Sequence, residues 1–166
     1  LRASNKWSSN LAARNIFLTL SAQENKTGDI AQSRLIIENW GKGRGLDTRG
    51  LVIDNGAGLS RDGRTTASFI SEILKLAWAD PSMPEFVSSL SIPGVDGTLG
   101  KRYGRSPVEA RAHLKTGYLE GVRSVAGYLH LPEGRTLSIA IIMNHESLTK
   151  TSKTMENLVQ HLYKIN

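Results

Sequence analysis

The chain has 166 residues, of which 39% are apolar and 22% charged, so it is long enough for one domain with a hydrophobic core and too balanced for a disordered segment. It contains no cysteine, which excludes disulfides and thiolate metal sites, and no apolar run is long enough to cross a membrane as a helix. The net charge of +6 favours acidic partners. Because the basic residues are scattered, we expect a solvated positive surface and no nucleic-acid interface.

The first predicted element is a helix over residues 8–20, where apolar residues recur at helical spacing. Ser8 and Asn10 stand before this apolar run, and both residue types are preferred N-caps. Capping the helix is therefore one interpretation of these two residues.

A second helix is predicted over residues 30–40, after a polar turn at 24–28 and with Asp29 as its cap. The glycine-rich run 41–45 is expected to end it. Because these glycines follow a helix and do not join a strand to one, we interpret the run as a connector and not as a phosphate-binding loop.

The middle of the chain is predicted to alternate between short elements and ordered loops. Two glycines in three residues, Gly56 and Gly58, indicate a tight backbone path in a loop pressed against another part of the protein. The predicted elements are a strand at 51–53, a loop at 54–61, a helix at 65–78, a short helix at 85–90 and a loop at 92–99.

The last third predicts an antiparallel meander followed by a helix. Residues 110–117 alternate, which places Ala112 and Leu114 on one face and His113 and Lys115 on the other. Short polar turns then join the predicted strands 110–117, 122–131 and 136–143. The terminal segment is predicted to be an amphipathic helix, with one face that carries Met155, Leu158, Val159, Leu162 and Ile165. The fold class is therefore α+β, an antiparallel sheet flanked by helices.

Two short motifs supply groups suited to serine acyl transfer. Such chemistry without a Ser-His-Asp triad needs a nucleophilic hydroxyl, a base, a proton relay and oxyanion donors. Ser8 offers a relay hydroxyl and Asn10 an amide that positions a substrate. Lys115 holds an anion when charged and relays protons when burial depresses its pKa. Thr116 adds a hydroxyl, and Gly117 leaves the strand open to a substrate lying along it.

In this order and context, the motifs resemble those of D-alanyl-D-alanine carboxypeptidase/endopeptidases, the class C low-molecular-mass penicillin-binding proteins. The resemblance implies a penicillin-binding/β-lactamase-like transpeptidase domain and covers nearly the whole chain. It rests on five stretches: residues 6–11 (Lys-Trp-Ser-Ser-Asn-Leu), 54–61 (Asp-Asn-Gly-Ala-Gly-Leu-Ser-Arg), 93–99 (Pro-Gly-Val-Asp-Gly-Thr-Leu), 114–117 (Leu-Lys-Thr-Gly), and 121–123 with 126–128.

The resemblance implies a role for each motif residue. Ser8 would relay the proton to the leaving D-alanine, and Asn10 would hold the substrate amide. Lys115 and Thr116 would bind the terminal carboxylate. The backbone N–H of Tyr118 would be one oxyanion donor and the N–H of the nucleophile the other. The family more often has Thr or Ser where Tyr118 stands.

A further departure is the family's Ser-x-x-Lys motif, which carries the nucleophile and its base and precedes Ser-x-Asn. The one match, residues 147–150, follows the last predicted strand, so we interpret it as a chance match. The chain also begins at Leu1 without an initiator methionine. We expect residues 1–166 to be the C-terminal portion of one penicillin-binding domain, with the nucleophile segment and inserted domains absent, and to be inactive alone.

By the same resemblance, the protein would be an exported, periplasmic or cell-envelope enzyme that acts on peptidoglycan stem peptides without a cofactor and is inhibited by β-lactams. The alternatives are a β-lactamase or esterase of the same superfamily and a non-catalytic module that binds the cell wall. The four histidines lack metal-ligand spacing, so we expect structural roles and no metal. The sequence leaves the oligomeric state open.

Overall fold

A computed structural model describes residues 1–146 and 148–166, without the side chains of residues 24, 25 and 148–150. The Ser-x-x-Lys match at 147–150 therefore lies outside the described side chains. Within the described part, no helix is both long and apolar enough to span a membrane. The elements are α1 (Arg2–Trp7), α2 (Asn10–Asn25), α3 (Ile30–Gly43), α4 (Ala67–Ala79), α5 (Met83–Ser89), β1 (Ala112–Leu119), β2 (Val122–His130), β3 (Thr136–Asn144) and α6 (Leu148–Ile165).

The three strands form one antiparallel sheet in the order β1-β2-β3. On one face, α6 packs over a core that includes Leu114, Leu129 and Val159. On the other, Tyr128 packs against α4 and α5, and its hydroxyl donates to the Leu74 carbonyl at 2.7 Å. Buried apolar side chains on both faces dominate the stability of such layers. The predicted antiparallel α+β architecture is thus confirmed.

The first helix, α1, is absent from the sequence prediction. Its six residues have no apolar stripe, and its buried residue is Lys6. The Lys6 ammonium forms an ion pair with Asp96 at 2.5 Å. A partner 90 positions away in the sequence therefore fixes this helix, and local periodicity gives no sign of it.

The second predicted helix begins as expected, since Asp29 caps α3 by accepting from the Gln32 N–H at 2.7 Å. Its predicted end was wrong, because α3 continues through Gly41 to Gly43. A Cβ at Gly41 would lie 3.0 Å from Thr48. This glycine therefore permits close packing inside the helix and does not end it.

The predicted strand at 51–53 was wrong as well. Only Val52 pairs, with Arg64, through two 2.9 Å backbone hydrogen bonds that close the loop on itself. The same loop is pressed against α2, as the sequence predicts. Gly56 has φ +71°, and a Cβ there would come within 2.4 Å of Phe17, so this position needs glycine.

In α6, the predicted apolar face is only partly buried. Met155 and Val159 are buried, but Leu158 is 38% exposed and Ile165 is 61% exposed. The buried stripe continues instead through Tyr163. The sheet covers one side of α6, so only part of its apolar surface is packed.

Candidate functional site

Ser8 lies at the junction between α1 and α2, in a left-handed backbone conformation with φ 54° and ψ 41°. A non-glycine residue pays about 1 kcal/mol or more for this conformation. The Ser9 N–H donates to the Ala3 carbonyl at 3.0 Å, which closes α1. Ser9, and not Ser8 or Asn10, caps α2, because its hydroxyl accepts from the Ala12 N–H at 3.2 Å. The capping interpretation of Ser8 and Asn10 was therefore wrong.

The Ser8 hydroxyl meets the Lys115 side chain across the gap between α1 and the edge strand β1. The Lys115 ammonium donates to the Ser8 Oγ at 2.7 Å and to the Thr116 carbonyl at 2.6 Å. Burial lowers the pKa of Lys115 below its ordinary value. The two motifs, 107 residues apart, thus form one hydroxyl–amine pair.

One loop ties both motifs together. Ser91 pairs with Leu114 in β1 and donates its hydroxyl to the Lys6 carbonyl at 3.0 Å. Farther along the loop, the Asp96 carboxylate accepts from the Lys6 ammonium at 2.5 Å and from the Ile92 N–H at 2.9 Å. These contacts fix the end of α1, two residues before Ser8, relative to the strand that carries Lys115.

Gly97 allows this loop to approach α1 so closely. It has φ +60°, and a Cβ there would lie 2.4 Å from the Ser91 hydroxyl and 2.6 Å from the Lys6 carbonyl. The next residue, Thr98, has its hydroxyl 3.2 Å from that of Thr116. The loop therefore reaches from the residue next to Lys115 back to the helix that presents Ser8.

These elements border a cavity of about 730 Å³, which is within the size range of small-ligand sites. Its walls are polar at the end where the two motifs meet and apolar where α4 and α5 face the sheet. The polar lining residues are Asn5, Ser8, Asn10, Thr65, Thr98, Arg102, Lys115, Thr116, Tyr118 and Ser124. Lys115 and Arg102 are its cations, and no Asp or Glu of the described residues lines it.

The other predicted site residues lie in the same cavity. Asn10 is the exposed first residue of α2, and its side-chain amide has no hydrogen bond to a described residue. Gly117 lines the cavity too, but a Cβ there would lie 2.1 Å from the Ser124 hydroxyl. The neighbouring strand is therefore a reason for this glycine that the sequence does not reveal.

Tyr118 lies at the rim, with 69% of its surface exposed. The guanidinium carbon of Arg123 lies 3.4 Å from the centre of its ring, a cation–π contact. Arg123 is itself buried and donates to the Leu119 and Val122 carbonyls, each at 2.7 Å. Tyr118 therefore presents an aromatic ring, stacked on a fixed cation, at the rim of the cavity.

His113 and His130 form a pair on the same strand face as Lys115. The His113 Nδ1 lies 2.8 Å from the His130 Nε2, and the rings pack edge to face. Burial lowers the pKa of both imidazoles, and the charges of His130 and Lys6 lower that of His113 further. Each ring is thus favoured as a neutral hydrogen-bonding group, which fits the structural role predicted for His113.

Sequence reasoning missed three residues that build the site: Lys6, Asp96 and Arg102. Lys6 and Asp96 lie within two of the stretches on which the family resemblance rests, 6–11 and 93–99. Nothing in either stretch shows that these two residues form an ion pair with each other. Arg102 follows the second stretch as one basic residue among 21. The one feature of the sequence that could have identified Arg102 is its position three residues after Leu99, in the turn that places Thr98 against Thr116.

Comparison with known proteins gives one consistent result. Residues 1–164 match the model of the D-Ala-D-Ala carboxypeptidase 3 (S13) family. A D-alanyl-D-alanine carboxypeptidase of Actinomadura sp. (strain R39) is 35% identical over 116 residues, which are 67% of this chain and 21% of that protein. The chain thus spans about a fifth of that relative's length.

Two solved structures share the fold. Penicillin binding protein 4 of Haemophilus influenzae superposes with a TM-score of 0.88 at 22% identity, covering 98% of this chain and 38% of that one. The predatory endopeptidase Bd3459 of Bdellovibrio bacteriovorus, acylated by penicillin G, superposes with a TM-score of 0.78 at 19% identity, covering 99% of this chain and 44% of that one.

Proposed function

The chain belongs to the D-Ala-D-Ala carboxypeptidase 3 (S13) family, and we propose that it forms the substrate-holding wall of a serine acyl-transfer cleft. The protein that carries it would hydrolyse the D-Ala-D-Ala bond of peptidoglycan stem peptides, and cross-links of the same chemistry. The observation that supports this most is the 2.7 Å hydrogen bond from Lys115 to the Ser8 hydroxyl. It joins an amine of lowered pKa to a hydroxyl at the polar end of the cavity.

The proposed reaction has two stages. A serine of a Ser-x-x-Lys segment outside residues 1–166 attacks the carbonyl carbon of the penultimate D-alanine, and its proton passes to the lysine of that segment. The resulting oxyanion accepts from the Tyr118 N–H and from the N–H of the nucleophile. Ser8 then gives its proton to the nitrogen of the terminal D-alanine as the C–N bond breaks, and it takes in exchange the proton held by the lysine of the Ser-x-x-Lys segment. Water hydrolyses the ester and releases the shortened peptide.

The remaining motif residues would orient the substrate. Asn10 has a free side-chain amide on the cavity wall and would hold the peptide amide. Thr116 would donate its hydroxyl to the terminal carboxylate, with Lys115 adding positive charge at that end of the cavity. The net positive lining favours an anionic substrate over a neutral one. By this mechanism β-lactams acylate the same serine, and no cofactor takes part. Because its substrate is peptidoglycan, the protein would work in the cell envelope.

The test is the release of D-alanine from a diacyl-Lys-D-Ala-D-Ala peptide by the full-length protein, compared with hydrolysis of nitrocefin. We expect the peptide to be turned over and nitrocefin to acylate the protein with little turnover. Fast nitrocefin turnover would instead identify a β-lactamase. Salt-sensitive binding to purified sacculi without turnover of either substrate would identify a cell-wall-binding module. Residues 1–166 alone are expected to hydrolyse neither compound.

A further inference from the structure

The polar end of the cavity has two cations, and they are held in different ways. Lys115 directs its hydrogen bonds to Ser8 and the Thr116 carbonyl, and burial lowers its pKa. These features suit an amine that exchanges a proton with the Ser8 hydroxyl. A guanidinium keeps its charge at any physiological pH. Arg102 is therefore the cation of the cavity lining whose charge does not depend on a proton transfer.

Arg102 is held so that its outer nitrogens remain available. Its Nε donates to the Glu156 carboxylate at 2.8 Å, and the two side chains are 34% and 21% exposed. Among the described residues, its two Nη atoms have no hydrogen-bond partner. With Nε engaged by Glu156, the Nη pair is the edge of the guanidinium left to hold a carboxylate through two parallel hydrogen bonds.

Contacts of α6 connect Arg102 with the strand that carries Thr116. In α6, Ser152 accepts from Arg123, on which Tyr118 stacks. Glu156 lies one turn farther along the helix and holds Arg102. Thr116 precedes Tyr118 by two residues and so lies on the same strand face, one step along β1.

A second line of contacts leads to the same place. The Thr116 hydroxyl lies 3.2 Å from that of Thr98, and the turn that begins there returns the Arg102 N–H to the Leu99 carbonyl at 2.9 Å. Thr98, Arg102 and Thr116 all line the cavity.

We propose that Arg102 is a substrate-binding residue whose Nη atoms hold the terminal carboxylate of the peptide beside Thr116. This inference rests on the proposed function. It adds a second cation to the polar end of the cavity, because Lys115 contacts the relay hydroxyl of Ser8 and Arg102 supplies a charge for the carboxylate. It also gives the carboxylate a charged partner next to Tyr118, whose ring stacks on Arg123.

The test compares two peptides in the full-length protein: acyl-D-Ala-D-Ala with a free C-terminal carboxylate, and the same peptide as its C-terminal carboxamide. Arg102→Gln is expected to lower kcat/KM for the carboxylate peptide about 30-fold, mainly through KM, because a charge-assisted bidentate contact is lost. It should change kcat/KM for the carboxamide by less than about threefold, since no charge pairs there. Arg102→Lys should recover part of the loss.

The outcomes separate the two proposals. An equal fall for both peptides would mean that Arg102 only supports the fold, and no fall for either would mean that it does not touch the substrate; each result overturns the inference and leaves the function standing. A wild-type protein that hydrolyses neither peptide overturns the function, and the inference with it. Glu156→Gln, which keeps Arg102 but removes its anchor, should show the same preference in weaker form and guards against a folding defect in the arginine variants.

Discussion

Lys115→Ala in the full-length protein is expected to lower kcat/KM for the D-Ala-D-Ala peptide about a thousandfold. The variant removes the amine that contacts the Ser8 hydroxyl at 2.7 Å, and with it a proton-transfer partner and an anion-holding charge. Loss of a positioned acid–base group costs about a hundredfold to ten-thousandfold in rate. The measurement is the initial rate of D-alanine release over a range of peptide concentrations.

Lys75→Ala is the matched control. Lys75 is also a lysine with a short contact, to Glu72 at 2.8 Å, but it lies on the surface of α4 outside the cavity. Its removal should leave kcat/KM within about twofold, because exposed ion pairs contribute little. Activity of Lys115→Ala within threefold of the wild type would contradict the role assigned to this lysine.

Asp96→Asn is expected to destabilise the protein by about 3 kcal/mol and to reduce activity at the same time. Asparagine retains an acceptor for the Ile92 N–H but leaves the buried Lys6 ammonium without its counter-ion. Removing one partner of a buried pair has a cost of this order. Chemical denaturation monitors the stability, and D-alanine release monitors whether Ser8 is still presented to Lys115.

The effect of Asp96→Asn should shrink in acid. Burial alone would raise the pKa of Asp96, but the hydrogen bonds from Lys6 and Ile92 and the charge of Lys6 outweigh it and hold the pKa below its ordinary value. A carboxyl with a depressed folded pKa stabilises the protein above its unfolded pKa of about 4, and this contribution is lost as the pH falls through the folded pKa.

Asp47→Asn is the control for this variant. Asp47 forms a 2.7 Å ion pair with Arg49 in which both side chains are largely exposed, so its loss should leave the denaturation midpoint nearly unchanged. A drop in stability for Asp96→Asn no larger than that for Asp47→Asn would show that the Lys6–Asp96 pair does not hold the end of α1.

The strands and most helices were predictable because their information is local. Alternation predicted β1, short polar turns predicted β2 and β3, and Asp29 marked the start of α3. The helix α1 was not predictable, since its one buried side chain, Lys6, pairs with a residue far along the chain. The end of α3 was missed for a similar reason. Gly41 is required by close packing against Thr48, and it does not mark the end of the helix.

The candidate site likewise contains residues that local sequence predicts and residues that only the fold reveals. Short motifs pointed to Ser8 and Lys115, and the structure places their side chains in contact; the catalytic roles of these residues and of Asn10, Thr116 and Tyr118 stay predictions. Arg102 was not found, because a single arginine outside a motif has no pattern. Its partner Glu156 lies on α6, and Thr116, which lines the same cavity, lies on β1, so only the packed fold shows this arrangement.

The central claim is that Ser8 and Lys115 serve a serine nucleophile supplied by a segment outside residues 1–166. Mass spectrometry of the full-length protein after incubation with penicillin G tests it most directly. We predict one penicilloyl adduct, on the serine of a Ser-x-x-Lys segment outside residues 1–166, and a much slower adduct formation in Ser8→Ala and Lys115→Ala than in Ser9→Ala. An adduct on Ser147, or the same rate of labelling in all three variants, would contradict the account.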